Sequence, residues 1–383
     1  MKNRDRATII ASATLIGALI LGLAGLFFAA FLREAAPINI EADLLQESTA
    51  LPAEVVHDAL VKAGFTSTLY NSSTYDIVVE KVQDSLEPRA IDIGVNARPV
   101  DSERFPNVVS LGTIGNIPVL IIARAGVTPI TSPAELRGKR IQIGYPGSTS
   151  AEIGEHILAL FNVTQGNSSL QSDKRSVAEA MVISGESDAA IVMYSPYDDS
   201  HADFITTPGL QIVPIPAAKA VAGRIGYVVA ETLPAGAYRV ADAVPAEDIT
   251  VIGVPITVVA RDSVSRSAIF SIARALNARF GRGSVLSEPG EFPQFLYNIP
   301  ASDAASEYYE AGIIPWQYRL LPAPVADLVI PIAVTGSVLL ILAALYQLLL
   351  PEFYTVWKEI IRPRRHHRRQ RRGRPQPLPH ESK

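Results

Sequence analysis

The chain of 383 residues contains no cysteine. That excludes a disulfide scaffold and any thiolate zinc, iron–sulfur or cysteine-nucleophile site. Histidine is scarce. Outside the C-terminal tail there are only His57, His156 and His201, far apart and without metal-ligand spacing. Asp198 and Asp199 are adjacent, so they do not face one another as an acid/base pair. The one glycine loop that precedes a helical stretch lacks the Gly-Lys-Ser/Thr ending of a nucleotide-binding loop and is not a Gly-x-Ser-x-Gly elbow. Binding rather than catalysis is therefore expected, with no cofactor and no metal. Apolar residues make up 48% and charged residues 19%, too apolar a balance for a disordered chain.

Charge itself is missing from two long stretches, Ala7–Leu32 and Leu328–Leu350. Each exceeds the roughly 20 apolar residues that cross a bilayer as a helix. Lys2, Arg4 and Arg6 precede the first, and the tail from Arg362 to Arg374 follows the second. Basic flanks stay cytoplasmic, so both termini are expected inside and the body outside, in a cell membrane such as the bacterial inner membrane. The first stretch also reads as a cleavable signal peptide, with Ala29, Ala30, Ala35 and Ala36 as small residues for cleavage. Net charge is −4, with +2 in residues 1–6 and +8 in 358–383, which leaves −14 for the rest. The tail has no interleaved aromatic residue to stack on bases. It reads as a topology signal with attraction to anionic lipid, not as a nucleic-acid site.

Between the spans, apolar runs alternate with helix-like stretches. Strands are expected at Ile91–Val95, Val119–Ala123, Arg140–Gly144, Ala189–Tyr194, Gln211–Ile215 and Ile256–Ala260. Helices are expected at 52–63, 132–137, 149–161, 174–184, 263–280 and 302–311. This order predicts α/β layers with mainly parallel sheets. Ser132-Pro133-Ala134-Glu135 has the form of a capping box, and Gly138 can end that helix. Pro315–Pro324 reads as a stiff connector.

Three places follow strands, where ligands of open α/β sheets bind. Gly144-Tyr145-Pro146-Gly147-Ser148-Thr149-Ser150 leads into a helix; its backbone amides suit a carboxylate, and its hydroxyls equally suit a helix cap. Asn96 and Arg98 follow the strand at 91–95, and Arg98 has the fork that clamps a carboxylate, although a surface arginine beside a turn asparagine reads as well. Tyr194 and Tyr197 follow another strand, as solute contacts or as half-buried turn aromatics.

The order of these pieces resembles a known family. Thr131–Tyr145, running into Pro146–Ser150, is similar to the "S-L-A-D-L-K-G-K-R-V-A-V-G … P-G-S-G-T" signature of solute-binding proteins. Ala90–Arg98 and Ser176–Met193 resemble their neighbouring strand and helix. Leu233–Tyr238 and Asp248–Val259 resemble the "I-P-A-G-T-Y" and "D-V-P-T-V-A-V-P-A-L-L-V" segments of the TAXI family, the extracytoplasmic receptors of TRAP transporters. The likeness covers about 90–315. It implies a two-lobed type II periplasmic binding protein fold, here flanked by an N-terminal and a C-terminal transmembrane helix. The implied parts are a cytoplasmic 1–6, an anchor 7–32, lobe one at 37–130 and 250–320, lobe two at 131–249, a second span 328–350 and a basic tail 351–383.

It also implies a small organic anion or amino acid as ligand and a TRAP-type permease as membrane partner. The ligand residues are expected to be Asn96, Arg98, Gly147, Ser148, Thr149, Ser150, Tyr194 and Tyr238, with Arg98 facing the Ser148–Ser150 loop across a groove. The chain departs from the family at Asn39–Glu47, which holds no glycine where such receptors have a glycine-rich stretch. That departure and the second span leave room for an alternative, a degenerate binding module acting as a transmembrane sensor or scaffold.

Overall fold

A computed structural model describes residues 36–342 except 45–46, 73–74, 85–89, 99, 101–102, 198–201, 297–298 and 322, together with Gly17, Leu21, Gly22, Ala24, Gly25 and Phe28. Residues 1–6, most of the expected first span, residues 343–350, the basic tail, and Asp198, Asp199 and His201 lie outside the described residues. The chain divides into two units, Met1–Asp327 and Leu328–Lys383.

Ten strands of the first unit form one mixed sheet: β1 Ile38–Ala42, β2 Ser67–Asn71, β3 Ile93–Asn96, β4 Val108–Arg124, β5 Arg140–Gln142, β6 Ser169–Gln171, β7 Ala189–Met193, β8 Leu210–Val213, β9 Val229–Leu233 and β10 Ile249–Arg261. The path is β2-β1-β3-β10-β4-β7-β5-β6, with β8 on β4 and β9 on β10. The expectation of mainly parallel sheets is corrected here. β1 is parallel to β2 and β3, and β5 to β6 and β7, but every pairing of β4 and β10 is antiparallel.

Those two strands are the frame. The later part of β10, Thr257–Ala260, carries β3 and through it β1 and β2; its earlier part, Ile249–Gly253, carries β9. The end of β4, Val119–Arg124, carries β7 and β8. The sheet thus has two halves, one on each side of the place where β4 and β10 run together.

The local reasons are plain in the residues. Val119–Ala123 is wholly buried, as a strand covered on both faces must be, and its run of apolar residues needs no alternation. Its side chains divide by period two. Val119, Ile121 and Ala123 join the main core, and Leu120 and Ile122 join a second cluster. Helix Arg266–Phe280 is capped by Ser265, whose hydroxyl accepts from Ala268 N, and it buries Ile269, Ile272, Ala273, Leu276 and Phe280. Removing side chains such as Ile272 and Leu276 from water contributes about 1.5–3 kcal/mol each.

Two expectations change in detail. Residues Pro133–Leu136 form a 3-10 turn capped by Ser132, and Glu135 reaches back to Thr131 N and Oγ1 (both 2.9 Å). The proline-rich connector contains short helices at Trp316–Leu320 and Ala323–Ala326, because Pro315 sits just before a first helical turn, where its missing N–H costs nothing.

Within the second unit, residues 329–342 are helical. Among the described residues no helix is long and apolar enough to cross a membrane. The described part of 328–350 nonetheless exposes Ile330, Val334, Val338, Leu340, Ile341 and Leu342.

Candidate solute-binding cleft

The loop Gly144–Ser148 turns β5 into helix Thr149–Leu160. Two glycines make the turn possible. Gly147 lies at φ +79°, and Gly144 at φ +105°, where an added Cβ would sit 2.4 Å from Ser150 Oγ. Ser148 is the helix cap: its Oγ accepts from Ala151 N at 3.2 Å, donates to Tyr145 O at 2.6 Å, and lies 2.9 Å from Ser150 Oγ. Thr149 differs. It is 2% exposed, and its Oγ1 is a buried hydroxyl with no hydrogen-bond partner. A buried polar atom without a partner is costly, about 1–3 kcal/mol, and needs a reason.

Arg98 reaches this loop. Its Nη1 stands 2.8 Å from Glu152 Oε2 in the first turn of the helix, and its Nη2 donates to Gly147 O at 3.3 Å. The expected approach of Arg98 to the loop is present, but the partners of these two nitrogens are a carboxylate and a carbonyl of the protein itself. Asn96 is buried; its Nδ2 donates to Arg98 O at 2.5 Å, while its Oδ1 has no partner.

Tyr194 and Tyr238 are elsewhere. Alternation along β7 puts Ala190, Val192 and Tyr194 in the second cluster, against which Tyr238 also packs. Tyr194 donates to Glu179 Oε1 at 2.8 Å. Burial pushes both phenols well above the usual range, and Glu179 adds to the shift at Tyr194. Neither lines the cleft described next. Both pack in the second cluster, and Tyr194 stands behind the cleft wall, with the Arg175 guanidinium 5.7 Å from its ring centre.

The cleft lies at the loop. Ser48, Ala97, Gly144, Tyr145, Ser148–Ser150, Arg175 and Ile256 are among its walls, and its free volume is about 40 Å³, room for about three waters. Ser48 and Ala97 come from the half that holds β1–β3, and the loop and Arg175 from the other. Helices Glu47–Lys62 and Thr149–Leu160 are among those that begin at this cleft, so the positive ends of both dipoles face it. Arg175 is the one charged side chain among the described residues that line it. It stands 3.8 Å from Glu179 Oε1, an oxygen already bonded to Tyr194.

Ser48 and Arg175 escaped the sequence reading. Ser48 stands at the glycine-free stretch, where no motif marks it. For Arg175 a signal exists: Lys174 and Arg175 open a helix. Cations at that end oppose the dipole, and such local conflicts gather at functional sites.

Residues 102–281 match the NMT1-like family. The match spans somewhat less than half of the chain. No curated protein matches. Among solved structures, the chain is similar to an ancestral arginine-binding protein bound to arginine (14% identity, 64% of this chain and 92% of that one, TM-score 0.39). It is also similar to the BenM effector binding domain with its effector benzoate (15%, 68% and 98%, 0.43). A third is the alkanesulfonate-binding protein SsuA from Xanthomonas axonopodis pv. citri bound to MOPS (13%, 65% and 74%, 0.38).

Proposed function

We propose that residues 36–327 form a solute-binding domain that takes a small organic anion or amino acid by its carboxylate. The observation that carries this reading is Thr149: a buried, unpartnered hydroxyl at a helix N-terminus, in a cleft whose one charged wall residue, among the described residues, is Arg175. A carboxylate there accepts from Thr149 Oγ1 and pairs with Arg175, satisfying both. The body charge of −14 repels anions at long range, so attraction is local, from the arginine and two helix ends. Among the described residues no histidine lines the cleft, and the Ser148 hydroxyl is committed to Tyr145 O. The reading is therefore capture without turnover.

The Leu233–Tyr238 segment supports a TAXI-like receptor that presents its solute to a TRAP-type permease. The exposed apolar side chains of 329–342 support an anchor in the membrane, with the domain outside the cytoplasm. A thermal-shift screen of the purified chain with amino acids and organic acids tests the binding reading. Stabilisation by at least one carboxylate is expected, and lost in Arg175→Ala. No shift by any acid at about 10 mM, with the chain shown to be folded, would overturn it.

A further inference from the structure

Resting on that reading, the geometry points to a ligand class: an organic monoanion carrying one compact apolar group. The polar cleft adjoins a second compartment of about 10 Å³, and the two share Ser48 and Ile256. Leu51, Pro52, Ile114, Ile117 and Phe280 supply apolar walls to the second compartment, and no charged side chain lines it among the described residues.

Three of its polar side chains already have partners. Tyr197 donates its hydroxyl to Ile114 O at 2.7 Å, and Asn116 Nδ2 donates to Glu231 Oε1 at 2.6 Å. Ser195 Oγ accepts from Tyr197 N at 3.3 Å. A second carboxylate placed here finds no cation among the described lining residues: Glu231 stands behind Asn116, and Arg279, behind the Tyr197 and Phe280 rings, is turned to Tyr197 O at 3.3 Å. An alkyl or aryl group loses only water. Gly115 shapes this wall: a Cβ on it would stand 2.6 Å from the Tyr197 hydroxyl, so only glycine lets that ring close against β4. With both compartments nearly shut, the ligand enters by parting the halves, and its two ends then settle by the chemistry of the walls.

The test is a titration of the full chain in detergent with acetate, propionate, butyrate, isovalerate and phenylacetate, beside succinate and glutamate. Affinity should rise about fourfold per added methylene until the compartment is full. Succinate and glutamate should bind at least tenfold more weakly than the best monoanion. Leu51→Asn should flatten the series. A flat series in the parent chain, or preference for succinate or glutamate, overturns the ligand class and leaves the binding reading standing. Silence of every acid at about 10 mM overturns both.

Discussion

The Arg98 guanidinium lies 2.8 Å from the Glu152 carboxylate, joining the end of β3 to the first turn of helix Thr149–Leu160. A second contact, Arg98 to Gly147 O, ties the same residue to the glycine loop. These bonds run from one half of the sheet to the other beside the cleft, and they hold it shut. A ligand shifts the halves only by the difference between its contacts in the closed and open forms.

Arg98→Ala should therefore loosen closure rather than delete a ligand contact. Arg98 is 16% exposed and Glu152 38%, so the bond is screened in part, and a loss of about 1.5 kcal/mol, the lower end for charged hydrogen bonds, is expected. Small-angle scattering should show a larger radius of gyration in Arg98→Ala and in Glu152→Gln. Unchanged scattering in both would remove the pair as a latch.

Arg175 carries the opposite expectation. Arg175→Ala should weaken a carboxylate ligand about ten- to a hundredfold, the worth of one charge-assisted hydrogen bond, with the melting temperature of the free chain nearly unchanged. Calorimetric titration separates the two effects. Equal affinity in parent and variant would exclude Arg175 from the site.

Thr149→Val gives an unusual pair of signs. The hydroxyl has no partner in the free chain, so its removal should leave stability unchanged or raise it by about 1 kcal/mol. The same change should cost ligand affinity about tenfold. A variant that is less stable and binds as before would mean that the hydroxyl serves the fold.

The strand–helix order and the glycine loop were legible because each leaves a local mark: an apolar run, a capping serine, a glycine that must turn. Helix Arg266–Phe280 shows its buried face by period alone. Tyr194 was not legible. Ala189–Met193 is apolar at every position, so no polar residue marks which face looks at the cleft, and the tyrosine packs in the second cluster behind Arg175. The lengths of β4 and β10 were hidden for a related reason. Gly112, Gly115, Gly253 and Pro255 interrupt the apolar runs, yet the strands continue through them as bulges or close approaches. Arg98 lies beside the loop, but its partner Glu152, in the first turn of the helix, belongs to no motif that would mark it in the sequence.

Acid should weaken the half that holds β5. Hydrogen bonds from Arg140 hold the Asp188 carboxyl below its usual range. Arg140 Nη2 lies 2.9 Å from Oδ1, and the Arg140 Nε and backbone N bond Oδ2 at 3.1 and 2.9 Å. A folded value below the unfolded one, about 3.9, contributes stability above that pH, and the contribution is lost as pH falls through the folded value. The stability gap between the parent and Asp188→Asn should accordingly shrink from pH 7 to pH 3. A gap independent of pH would contradict the assignment.

Topology is checked separately. A reporter active only outside the cytoplasm should work when inserted near Pro208, an exposed turn, and fail when fused after Lys383. Activity at the C-terminal fusion would overturn the two-span arrangement.

The most direct measurement is a crystal structure of the chain with the tightest carboxylate from the titration. The account predicts the carboxylate between the two helix N-termini, with one oxygen within hydrogen-bond distance of Thr149 Oγ1 and the other at the Arg175 guanidinium. A carboxylate bound elsewhere, with the cleft empty and Thr149 still unpartnered, would contradict it.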